Sequence, residues 1–216
     1  MQTANVMTVE RHRMGTDGPG IRTLVGFAGC PLRCRYCLNS FTWDGSAADR
    51  HYSVRELLET VSVDSVYFQA TGGGITFGGG EPLLHAHFIA EFIKAAPKEW
   101  NFTVETALAV PFSAVQAVAT DRVTFLVDVK TLDPHIYAAY TGGNVMLMRD
   151  NLSGLITLVG RERVIARVPT IPHFADETSA EGSAAELIRM GLEHIERFSY
   201  IEKQAPQKTA ELRHES

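Results

Sequence analysis

The chain has little cysteine, no excess of positive charge and no long apolar run, and each shortage removes a class of protein. Its 216 residues hold three cysteines, Cys30, Cys34 and Cys37, all inside one eight-residue window. An odd number at so tight a spacing suits no secreted disulfide framework, so these residues read as ligands or a redox group. Met1 to Glu10 lacks the apolar core of a secretory signal, and no later stretch reaches the roughly 18 to 20 apolar residues of a membrane span. With 25 acidic against 20 basic residues the formal charge is -5. No general positive field is therefore present to bind a nucleic-acid backbone through counterion release. We expect a cytoplasmic protein whose partners are neither nucleic acid nor membrane.

What is there is a 45% hydrophobic chain, enough for one buried core. A single domain is expected over residues 1–203, with a polar tail at 204–216. Short apolar runs alternate with amphipathic stretches, the pattern of repeated βα units. Ile21–Ala28, Gly74–Gly78, Phe102–Thr106, Val123–Val129, Val164–Val168 and Phe198–Ile201 read as strands. Ser53 and Glu56 form a capping box ahead of a helix with Val54, Leu57, Leu58 and Val61 on its apolar face. Further helices are expected at Phe88–Ile93, Pro111–Ala119, Val145–Val159 and Ala184–Met190. The fold class is thus α/β, a partial (β/α)6 barrel of parallel strands, because the chain is short of the ~250 residues of a closed eight-unit barrel. Its reactive face should be the C-terminal edge of the strands.

The strongest chemical signal is Cys30-Pro-Leu-Arg-Cys34-Arg-Tyr-Cys37, placed just after the first expected strand. A cubane iron-sulfur cluster normally takes four thiolates, so three leave one iron with an open coordination position. A structural zinc site is the alternative, but it wants four protein ligands, and His12 and His51 stand at no ligand spacing. Gly78-Gly-Gly-Glu81 ends the next strand, where residues without a Cβ let a ligand approach the backbone and a carboxylate can accept from an ammonium group. The bland version is a tight turn with a solvated glutamate. Glu105 and Thr106, and then Asp128 and Lys130, end two further strands. Buried charges are costly unless paired, so Asp128 and Lys130 form an internal ion pair or touch a ligand. His135, His173 and His194 carry no role beyond structure or solvation.

These motifs together resemble the radical S-adenosylmethionine superfamily, whose signature is CxxxCxxC after a first strand. The blocks Asp17-Gly-Pro-Gly-Ile-Arg22, Tyr36-Cys37-Leu-Asn39 and Thr42-Trp43 narrow the resemblance to glycyl-radical-enzyme activases. The resemblance implies a [4Fe-4S] cluster on Cys30, Cys34 and Cys37, with S-adenosyl-L-methionine on its open iron. It implies that Gly79, Gly80 and Glu81 hold the cofactor's amino group and that Tyr36 borders its adenine. Glu105, Thr106 and Asp128 would frame the cofactor and a monovalent cation, while Lys130 and Arg167 would reach the cofactor. The implied activity is reductive cleavage to a 5′-deoxyadenosyl radical, which removes hydrogen from a glycine of a partner glycyl-radical enzyme. A flavodoxin or ferredoxin would be the electron donor. Alternatives are a radical enzyme acting on another peptide, an anaerobic ribonucleotide reductase activase, or a non-catalytic iron-sulfur protein. Two departures stand out: Glu105 replaces a family aspartate, and Phe198-Ser-Tyr-Ile-Glu202 lacks the family's tyrosine-histidine pair.

Overall fold

A computed structural model describes residues 3–46 and 50–200. Two antiparallel strands form one edge of its sheet: β1 (Thr3–Met14) pairs with β2 (Ile21–Phe27) on one side and β3 (Arg50–Ser53) on the other. From β2 onward the sheet is parallel, continuing through β4 (Gly74–Gly79), β5 (Asn101–Thr106), β6 (Val123–Asp128), β7 (Val164–Thr170) and β8 (His194–Ser199). The strand order is β3-β1-β2-β4-β5-β6-β7-β8. Helices α1 (Val54–Val61), α2 (Ser65–Thr71), α3 (Ala86–Ala95), α4 (Phe112–Val118), α5 (Pro134–Thr141), α6 (Val145–Val159) and α7 (Glu177–Arg189) lie between them. The six parallel strands make the expected α/β partial barrel. No helix among the described residues is long and apolar enough to cross a membrane.

Alternation along the strands separates two faces. Val25, Phe27, Ile75, Phe77, Phe102, Val104, Phe125 and Val127 point outward and are buried beneath the helices. Phe77 centres this layer, with ring contacts to Phe92 of α3 at 5.6 Å, Phe102 at 5.9 Å and Phe27 at 6.0 Å. The inner face carries polar groups instead. Arg22 is almost wholly buried there and donates to Thr76 Oγ1 and the Ile75 carbonyl, each at 2.7 Å, and to the Asn101 carbonyl at 3.3 Å. Burial draws its pKa down to about 10. Thr76 in turn donates to the Asp17 carbonyl at 2.7 Å. The Asp17–Arg22 block thus packs across the starts of β4 and β5, at the end of the barrel away from the cysteines.

The capping box forms as expected: the Ser53 and Glu56 amides and side chains bond reciprocally at 2.9 and 3.3 Å. Several elements differ from the sequence reading. β1 was not expected, because register shifts between Val6 and Thr8 and between Glu10 and Arg13 break its period of two. β3 has four residues, too few to leave a pattern. The last strand runs over His194–Ser199, earlier than Phe198–Ile201, since it is a largely exposed edge strand without an apolar repeat. α7 begins seven residues before Ala184, where Asp176 caps it by accepting from the Ser179 amide. Ile201 and the tail at 204–216 lie outside the described residues.

The outer aromatic layer makes a quantitative demand. Phe77→Ala should cost about 3–5 kcal/mol, through lost transfer energy and the cavity left among three rings. Leu158→Ala, at a side chain 46% exposed, should change stability by no more than about 0.5 kcal/mol. Denaturant unfolding under anaerobic, reducing conditions compares the two.

Candidate functional site

The C-terminal ends of the parallel strands surround a cavity of about 530 Å³. Cys30, Cys34, Cys37, Gly79, Gly80, Glu81, Glu105, Thr106, Asp128, Lys130 and Arg167 all line it. Of the site residues expected from sequence, Tyr36 alone is not in its wall.

Backbone bonds to two other segments shape the cysteine loop. Gly29, at φ +95°, donates to the Thr42 carbonyl at 2.8 Å, and Cys30 donates to the Trp43 carbonyl at 3.2 Å. Arg33 and Arg35 donate to the carbonyls of Thr141 and Tyr140 at the end of α5, at 2.7 and 3.0 Å. All three thiols are free and half-buried. Burial pushes the Cys30 thiol up to about 12 and raises Cys34 as well, although the Lys130 charge pulls Cys34 back down. Thiols in such surroundings ionise when a metal supplies the compensating charge. Among the described residues no three Cys, His, Asp or Glu side chains converge as ligands of a single ion would. A cubane needs no such convergence, because each thiolate takes a different iron. The donor set therefore suits a three-thiolate cluster.

The glycine turn is built against this loop. Gly80 donates to the Phe27 carbonyl and Glu81 to the Gly29 carbonyl, both at 2.8 Å. A Cβ on Gly80 would stand 2.2 Å from the Gly29 oxygen, so no larger residue fits the approach. Glu81 is 1% exposed. Its Oε1 accepts from Thr106 Oγ1 at 2.8 Å and the Leu83 amide at 3.1 Å, and its Oε2 accepts from the Ala107 amide at 3.0 Å. Burial raises its pKa to about 7 against the pull of these donors. The glutamate is thus a buried, hydrogen-bonded part of the cavity wall and not a solvated side chain. It ties the turn to the end of β5, and Thr106 spends its hydroxyl proton on it.

Across the cavity lies a compact charge network. Asp128 accepts from Lys130 Nζ at 2.8 Å and from Arg167 Nε at 3.0 Å, while the other arm of Arg167 pairs with Glu105. In-register pairing of Asp128 with Arg167 across β6 and β7 sets the geometry. Lys130 is held in its charged form: burial works against the charge, and the Asp128 carboxylate more than offsets it.

Tyr36 packs with Tyr140, Phe174 and Tyr200, ring centroids 5.9 to 6.0 Å away, and its carbonyl accepts from the Tyr200 hydroxyl. Tyr140 and Tyr200 themselves reach the cavity wall. Sequence reasoning missed these two, and also Phe198, Met7, Glu10 and Arg13. Tyr140 ends a helix that was not read, and the last three lie on the unread β1. Asn39 was within a quoted motif; its side-chain amide donates to the Gly79 carbonyl at 2.9 Å, joining the cysteine loop to the turn from the other side. No histidine lines the cavity among the described residues.

Comparison with known proteins bears on this site directly. The 4Fe-4S single cluster domain family matches residues 16–135, a span holding every site residue expected from sequence except Arg167. The (2S)-3-sulfopropanediol dehydratase activating enzyme of Klebsiella oxytoca is 30% identical, over 80% of this chain and 73% of its own length. The chain belongs to the radical S-adenosylmethionine family of glycyl-radical-enzyme activases. A second relative in this activase family, the pyruvate formate-lyase-activating enzyme of Clostridium pasteurianum, is 36% identical over 126 residues, 58% of this chain. The chain spans about half the length of that relative, 52%. In fold it resembles a radical SAM methyltransferase from Sphaerobacter thermophilus, with a TM-score of 0.60 over 94% of this chain and 69% of the other at 17% identity.

The buried Glu81 carboxyl sets a pH dependence. Its folded pKa, about 7, exceeds the ordinary value of 4.5. The unfolded chain therefore ionises first, and stability contributed by the protonated folded form is lost as pH rises from 4.5 towards 7. Glu81→Gln should flatten stability across that window, as read by denaturant midpoints at several pH values.

Proposed function

We propose that the chain is a radical enzyme that cleaves S-adenosylmethionine and takes a hydrogen atom from a glycine of a partner glycyl-radical enzyme. One observation carries the reading: the three cysteines and the Gly79–Glu81 turn meet in a single cavity at the C-terminal end of the parallel strands. When bound, the reduced cluster would supply one electron to the sulfonium of S-adenosylmethionine, giving methionine and a 5′-deoxyadenosyl radical able to abstract the glycine Cα hydrogen.

The chain's own part is positioning and shielding. Cys30, Cys34 and Cys37 would hold three irons and leave the fourth open. The glycine turn offers backbone at close range to the cofactor's amino group, and Lys130 and Arg167 offer charged donors suited to its carboxylate. Leu24, Leu32 and Tyr140 supply apolar surface that keeps water from the reacting atoms. A flavodoxin or ferredoxin would deliver the electron, and free thiols around an oxygen-sensitive cluster fit a reducing cytoplasm.

Anaerobic reconstitution should load about four irons per chain. Addition of reductant, S-adenosylmethionine and the partner should yield deoxyadenosine in step with a persistent glycyl-radical doublet by electron paramagnetic resonance. Cys34→Ser should abolish both signals, because a hydroxyl is a poor substitute for a thiolate. Stoichiometric zinc without iron uptake would sink the cluster. Deoxyadenosine formed while every partner glycine stays radical-free would leave the cluster and remove the activase role.

A further inference from the structure

The activase resemblance implies a monovalent cation framed by Glu105, Thr106 and Asp128, and the residues present do not fit one. Thr106 Oγ1 donates to Glu81 and accepts from the Leu108 amide at 2.9 Å. Both oxygens of Asp128 are engaged, Oδ2 by Lys130 and Oδ1 by Arg167. Glu105 Oε1 is paired with Arg167. The remaining nearby carboxylate, Glu81, is sealed by its three donors. Glu105 and Asp128 contribute two negative charges and Lys130 and Arg167 two positive ones, so the wall is neutral. A metal ion would either crowd a further positive charge against the Lys130 ammonium and the Arg167 guanidinium or displace one of them in a largely buried setting, and both are costly.

The geometry explains why the guanidinium can serve both carboxylates. Arg167 lies beside Asp128 in the β6–β7 register, while Glu105 belongs to the next strand over and pairs in register with Leu126, two residues before Asp128. A planar fork with donors on two edges reaches two carboxylates at once, which a compact ammonium cannot do. The longer side chain at position 105 helps close this gap, since a glutamate extends one methylene farther towards β7 than the family's aspartate.

We propose that Arg167 is the resident cation of this cavity: its guanidinium, bridging Glu105 and Asp128, occupies the role of an alkali-metal ion, and the chain binds none there. In this role Arg167 is a positioning residue, fixing two carboxylates whose mutual repulsion would otherwise splay the ends of β5 and β6. The inference concerns the same cavity as the proposed activity but stands apart from it, because its test reads ion binding instead of turnover.

The test is thermal unfolding of the cluster-reconstituted chain in sodium, potassium or tetramethylammonium chloride at equal ionic strength. The wild type should melt at one temperature in all three salts. Arg167→Ala should melt lower in tetramethylammonium and recover saturably with sodium, potassium or added methylguanidinium, a gain that a purely structural arginine would not confer. If that variant does not fold, Arg167→Gln, which keeps a hydrogen-bonding side chain without the charge, is read in the same way. Saturable stabilisation of the wild type by sodium or potassium over tetramethylammonium would overturn the proposal. A folded Arg167 variant indifferent to every small cation would overturn it too.

Discussion

Two backbone hydrogen bonds, from the Gly80 amide to the Phe27 carbonyl and from the Glu81 amide to the Gly29 carbonyl, join the glycine turn to the root of the cysteine loop. The approach is possible because position 80 has no Cβ, and it sets the distance between the expected cluster ligands and the backbone expected to hold the cofactor. Other contacts brace the same junction. Asn39 reaches the Gly79 carbonyl from the loop side, and the buried Glu81 carboxylate fastens the turn to β5. Without that junction the loop after β2 and the turn after β4 would be independent surface segments, and the cysteines would have no fixed opposite wall.

The second organising feature is electrostatic. Burying several charges at the mouth of a barrel is tolerable because they neutralise one another across neighbouring strands, with Lys130 and Arg167 matched against Asp128 and Glu105. Arg167 thereby holds its partners on two neighbouring strands. The other end of the barrel follows the same economy with one residue: Arg22 is closed over by carbonyls and Thr76, and sheds part of its basicity through burial. Polar interior and apolar exterior are thus assigned to opposite faces of the same strands, which lets one sheet carry both the packing core and the site.

The two faces also explain the aromatic arrangement near the open edge. Tyr36, Tyr140, Phe174 and Tyr200 gather where β7 and β8 end, on the side where, among the described residues, no further strand follows β8. This cluster stiffens the cysteine loop from outside, and Tyr140 and Tyr200 contribute to the cavity wall as well.

Much of the candidate site was legible in the sequence, since Cys30, Cys34, Cys37 and Gly78-Gly-Gly-Glu81 are local motifs whose spacing alone restricts their chemistry. The buried parallel strands were legible too, because each is a short apolar run bounded by turns, and so was the capped start of α1. Strands such as β1 and β8 were not. A bulged strand and an exposed edge strand are stabilised by their neighbours' hydrogen bonds, and those leave no periodic trace in their own residues. The sequence by itself determined the three-cysteine donor set and the βα order. Only the tertiary structure decided that Glu81 turns inward, that Tyr36 packs outside the cavity wall, and that Arg167 bridges two strands. Those outcomes depend on which distant side chains arrive within bonding reach, a three-dimensional matter of register and burial that no local pattern encodes.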